Sequence, residues 1–137
     1  MKLPTPHETL VGCVWLPRVL AKARLIASGE LPADYVACFC HPMGVDGQFL
    51  AHFALTKDDI VIAAKRDDAA VAEWFLSRIP DAARAIATWN DIALNLGRAG
   101  YPMAERFPVA LATTYRHVDA RGLTSVFEVL EADERNS

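Results

Sequence analysis

The side chains able to do chemistry crowd into one part of the chain. Trp15, Arg18, Lys22, Arg24, Tyr35, Cys38, Cys40, His41, Asp46 and His52 all fall between Trp15 and Phe53. Cys38-x-Cys40-His41 raises a metal site, but zinc is held by cysteines two to four residues apart together with a second ligand pair. Only His52, Cys13 and Asp46 are at hand to complete such a set, and a cysteine in an apolar run is ordinarily a small buried hydrophobe. No metal and no cofactor is assigned. Cys40 could serve as a thiol nucleophile with a lowered pKa if its loop folds back on Arg18 and Lys22. His41 points the other way in extended chain, so a base would have to come from elsewhere, with His52 the first candidate.

Asp46 and His52 could form an acid/base pair, yet six residues place them on nearly opposite sides of one helix. The plainer readings are an N-cap for Asp46, a contribution of about 1 kcal/mol, and a partly exposed surface histidine for His52. His7 and His117 have no companions, and the catalytic residues are left unassigned. What remains is binding. Arg18, Lys22 and Arg24, edged by Trp15 and Tyr35 and completed by Asp46 and His52, suit a small anionic molecule bearing a carboxylate or phosphate. Against this stand a core role for Trp15, a solvated basic face for Arg18 and Lys22, and an internal salt bridge from Arg24 to Asp34, Asp46 or the acidic tail.

The elements that must position these groups read mainly as helices. Leu10–Val14 and Tyr35–Phe39 look extended and give one short β pair. Trp15-Leu16-Pro17 opens a helix, since proline suits the first turn. Leu16, Val19, Leu20, Ala23, Ile26 and Ala27 form its apolar stripe, and Gly29 ends it. Arg18 and Lys22 share a face away from that stripe. Phe49, Leu50 and Phe53 follow on a short helix capped by Asp46. Thr56-x-x-Asp59 resembles a capping box, and Asp67 or Asp68 caps a helix carrying Val71, Phe75 and Ile79 up to Pro80.

Ile86, Trp89, Ala93 and Leu96 face inward on the next helix, with Gly97 past its end. Pro102 and Pro108 break residues 98–122, where Val109–Tyr115 fits a helix or a buried strand equally. Leu123, Val126, Phe127 and Leu130 make a final amphipathic helix, and Glu131–Ser137 should fray. The expected fold is mainly α, a single compact domain over residues 1–137 with five to six helices.

Composition bounds the partners. At 137 residues, 53% hydrophobic and 23% charged, the chain can bury a core of its own. Its 17 acidic against 14 basic residues lack the basic excess that nucleic acid demands. Leu10–Ala27, the longest mainly apolar stretch, carries Arg18, Lys22 and Arg24, too much charge for a membrane span. Three cysteines and an opening MKLPTPHETL without a secretory pattern suit a reducing cytoplasm.

Trp15-Leu16-Pro17-Arg18, Lys22-Ala23-Arg24, Gly29, Leu31-Pro32, Tyr35, Asp46 and Phe49-Leu50 resemble the opening of the bacterial "domain of unknown function 5069" family. Asp68, Val71 and Trp74-Phe75 are similar to its next helix. Ser125, Phe127, Leu130, Ala132 and Glu134-Arg135 are similar to its closing segment. The resemblance implies a helical, cytoplasmic, bacterial domain and transfers no catalytic residue. It also implies that Trp15, Arg18, Lys22, Arg24, Tyr35 and Asp46 are the shared polar set. The expected function is binding, or binding and transforming, a small anionic metabolite on residues 15–52. The alternative is a non-catalytic interaction or homodimerisation module, suggested by three Trp, six Phe and three Tyr in so small a chain.

Overall fold

A computed structural model describes residues Lys2–Arg135. Among them are eight helices and one two-stranded antiparallel hairpin, more helices than the five to six expected. The two additions are α2, Ala33–Cys38, and α7, Phe107–Ala112. The chain divides into two compact units, Met1–Trp89 and Asn90–Ser137.

In the first unit β1, Thr9–Leu10, pairs with β2, Cys13–Val14, so that Thr9 faces Val14 and Leu10 faces Cys13. Val11 (φ 49°) and Gly12 (φ 75°) make the two-residue loop, both with the positive φ that a type I′ turn needs. The expected second strand at 35–39 is therefore a correction: Tyr35 lies within α2, and the hairpin closes on itself. Pro32 at the cap, Asp34 in the first turn and alanines at 33 and 37 favour the helix over the strand suggested by Tyr35 and Val36.

α1, Leu16–Ala27, starts with proline in its first turn, as the sequence suggested, and buries Leu16, Val19, Leu20 and Ala23. It packs against α2 and α4, Lys57–Ala63. α3, Val45–Phe53, and α5, Asp68–Arg78, bring Phe49, Phe53 and Phe75 together with Trp89. The rings meet edge to face, Phe49 and Trp89 with centroids 5.5 Å apart and Phe53 and Phe75 5.0 Å apart, the geometry that aromatic quadrupoles prefer. Trp89 donates its indole N–H to the Val14 carbonyl at 2.9 Å, tying the hairpin to this cluster. The capping box at Thr56 and Asp59 forms in both directions, and Asp67, not Asp68, caps α5.

α6, Ala82–Leu94, carries the chain from the first unit into the second. There α8, Val126–Arg135, begins with Ser125 and Glu128 in a cap: Glu128 accepts from the Thr124 amide and the Ser125 hydroxyl, both at 3.0 Å. Burial works to raise the Glu128 pKa, but these bonds and the nearby Arg98 charge outweigh it and hold the carboxyl low. Gly97 turns with φ 93°, and a Cβ there would meet the Phe107 ring at 2.9 Å. The tail expected to fray from Glu131 is helical through Arg135, a correction that Val129 and Ala132, both buried, explain. Asn136 and Ser137 lie outside the described residues.

Candidate functional site

Asp46 is the centre of the first unit's polar cluster. Its N-cap role is overturned: Gly44 holds that position, and Asp46 stands in the first turn of α3. Its carboxylate is 1% exposed and accepts from three donors. Oδ1 takes the Trp15 indole N–H at 2.7 Å, Oδ2 takes the Cys40 amide at 2.9 Å, and Lys22 Nζ lies 3.3 Å from both oxygens. The positive end of α3 favours the same charge. α1 supplies Lys22, the residue before α1 supplies the indole, and the loop after α2 supplies the amide.

Trp15 joins two of the three cations of α1. Lys22 Nζ sits 4.9 Å from its ring centroid and the Arg18 guanidinium carbon 5.2 Å away. Arg18 donates to the Pro4 carbonyl at 3.0 Å. Neither cation lies on the solvated face that their spacing suggested; Arg18 is 2% and Lys22 5% exposed. Burial lowers the Lys22 pKa from its ordinary value against the pull of Asp46, and Arg18 pushes it further in the same direction. Trp15 adopts φ 74°, a left-handed conformation uncommon for a bulky side chain, and its indole is fixed from both sides.

The loop over this cluster is a reverse turn. Phe39 (φ −62°, ψ 120°) precedes Cys40 (φ 56°), and the His41 amide donates to the Cys38 carbonyl at 3.1 Å, the pattern of a type II turn. Glycine or asparagine usually fills the Cys40 position; here the bond from its amide to Asp46 holds it. Phe39 is buried, with Lys57 Nζ 5.6 Å from its ring centroid. Gly47 admits the turn, since a Cβ there would lie 2.6 Å from the His41 and Pro42 carbonyl oxygens. The Cys40 thiol is pushed up to about 12 by burial and by the Asp46 charge, with Lys57 and Lys22 offsetting part of the rise. The lowered thiol pKa expected from a loop near basic residues is thus reversed.

The other candidates stand elsewhere. Arg24 spans the joint between α4 and α5, giving Nε to the Ala64 carbonyl at 3.1 Å, Nη2 to the Arg66 carbonyl at 2.9 Å and Nη1 to Asp68 at 2.9 Å. Its acid is Asp68, not Asp34, Asp46 or the tail. His52 Nε2 lies 2.9 Å from the Ala85 carbonyl, with the ring edge-on to Phe53, so it bridges α3 to α6. Tyr35 is half-buried on α2. Among the described residues no group of three or more His, Cys, Asp and Glu gathers as a metal-ligand set, and all three cysteines are free. Sequence reasoning missed the Cys40 amide and the Pro4 carbonyl, because backbone groups carry no residue-type signal.

No helix among the described residues is long and apolar enough to cross a membrane. Neither the curated proteins nor the solved structures compared with the chain contain a match. A family model, described as Domain of unknown function (DUF5069), matches residues 2–136, so the chain belongs to that family.

Proposed function

We propose that the first unit binds a small anionic molecule on the segment from Trp15 to His52. Lys22 is the cation that meets the ligand; Trp15, Arg18 and Asp46 hold it in place, with Tyr35 on the adjoining helix. Arg24 and His52 serve by fixing the frame. The observation that carries this reading is the burial of Lys22, whose lost hydration outweighs its pairing with Asp46. A carboxylate or phosphate beside that ammonium would restore what burial removed. Buried ion pairs are a weak source of stability, so one at the heart of a small unit supports a role beyond packing. With the Cys40 thiol held protonated, the cluster favours binding over nucleophilic chemistry.

The test is thermal unfolding with inorganic phosphate and succinate titrated separately, comparing wild type with the charge-neutral double variant Lys22→Met, Asp46→Asn. A ligand at about 100 times its Kd stabilises by about 2.7 kcal/mol. At least one anion should raise the wild-type melting temperature with concentration and leave the double variant unmoved. Equal shifts in both proteins, or none in either, overturn the reading.

The interaction or homodimer reading loses its first motive, since none of the tryptophans, phenylalanines and tyrosines is exposed. It rests instead on exposed apolar side chains of the first unit, chiefly Met43, Ile62, Leu76 and Val36. Light scattering after size exclusion decides it: a monomer at high concentration removes the homodimer.

A further inference from the structure

We infer that Cys38 and Cys40 are a peroxide-responsive dithiol, with Cys38 the sulfur first oxidised and Cys40 the one that resolves it. The inference makes no use of a ligand at Lys22 and stands apart from the binding reading.

The turn juxtaposes the two residues. Two residues of chain separate their Cα atoms by at most about 7 Å, and a bend shortens this into the range a disulfide spans. The His41-to-Cys38 hydrogen bond fixes that bend, and the bond from the Cys40 amide to Asp46 anchors it. The two thiols differ in access: Cys38 is exposed, Cys40 only partly so. Burial and the Asp46 carboxylate keep the Cys40 thiol protonated at rest, which leaves the exposed Cys38 sulfur as the one that meets the oxidant. Accessible cysteines poised beside a second thiol are the ones that oxidise reversibly. Cys13, fully buried, is a control within the same molecule.

The chemistry balances with a hydroperoxide as oxidant. The Cys38 sulfur attacks the terminal peroxide oxygen, the O–O bond breaks, and sulfur becomes a sulfenic acid while the proton given up by the Cys38 thiol goes to the leaving oxygen, which departs as an alcohol or water. The Cys40 sulfur gives up its proton and attacks the Cys38 sulfur. An S–S bond forms, the S–O bond breaks, and the hydroxyl departs with that proton as water. Two thiol hydrogens and two electrons have then gone to one peroxide.

The experiment treats the folded full chain with hydrogen peroxide, blocks remaining thiols with iodoacetamide, and maps the peptides by mass spectrometry. The Cys38–Cys40 peptide should lose two hydrogens, resist alkylation and regain both thiols with dithiothreitol, while Cys13 stays reduced. In Cys40→Ser, Cys38 should accumulate as a sulfenic acid that dimedone traps; in Cys38→Ser, Cys40 should stay alkylatable after unfolding. Three results overturn the inference: a wild-type Cys38 that gains two or three oxygens beside an alkylatable Cys40, a disulfide between two chains, or a turn left fully reduced while free glutathione in the same tube is oxidised.

Discussion

Trp15 and Asp46 lie 31 positions apart in the chain and meet in a buried hydrogen bond of 2.7 Å. The same carboxylate answers Lys22, so removing it strands an ammonium as well as an indole N–H. Asp46→Ala should lose about 3–5 kcal/mol of stability, the usual effect of leaving a buried charge without its partner. Adding Lys22→Met to Asp46→Ala should recover part of that loss. Urea unfolding of the two single variants and the double completes the cycle; strict additivity would show that the pair is not coupled.

Arg24 reads as a staple rather than a ligand arm. Arg24→Met keeps much of the stem but leaves the Ala64 and Arg66 carbonyls without the bonds it gives them. A loss of about 1–2 kcal/mol is expected. Asp68→Asn should change stability by less than about 0.5 kcal/mol, because that ion pair is largely exposed. Chemical denaturation of the two variants separates the carbonyl bonds from the charge pair.

Gly47 offers a test in which local preference and packing disagree. Alanine within a helix is favoured over glycine by about 1 kcal/mol. In α3, however, the added methyl would meet two backbone carbonyls 2.6 Å away. Gly47→Ala should therefore destabilise by about 1–3 kcal/mol. A thermal melt at or above the wild-type temperature would contradict the close seating of the His41–Pro42 backbone on this helix.

Alkaline pH sets two buried groups against each other. Burial holds the Cys13 pKa at about 12, against an ordinary 9.0, so the unfolded thiol releases its proton first. Stability from this group is complete below pH 9 and falls as pH rises towards 12, by about 1.4 kcal/mol per pH unit. Lys22 has the opposite sign. Its folded pKa lies below the ordinary 10.5, so the penalty on its charge is lifted as pH climbs through that lowered value towards 10.5. Cys13→Ala should flatten the fall measured by urea unfolding between pH 9 and 10.5, and Lys22→Met should steepen it.

Most helices were legible because their signals are local. Proline at 17, the Thr56–Asp59 box and the spacing of Val71, Phe75 and Ile79 each specify an element without reference to the rest of the chain. α2 was misread because Tyr35 and Val36 favour strands, whereas Pro32 and Asp34 set the backbone instead. The hairpin lacked the usual Asn-Gly signal, since Val11 occupies a left-handed position that glycine normally takes. At the site, the surroundings of the candidate residues were not legible. A cation pair four apart looks solvent-facing on any helical wheel, and only the tertiary path that brings Asp46 and the Cys40 turn over α1 buries it.

The donors to Asp46 come from positions 15, 22 and 40, ahead of the carboxylate itself. None of the three contacts is worth making without the others, because a partly assembled cluster leaves a charge or an amide dry and unanswered. The amino-terminal helix, the cysteine turn and the third helix are therefore expected to close in one concerted event. Opening of any one should expose all three to hydrogen exchange together.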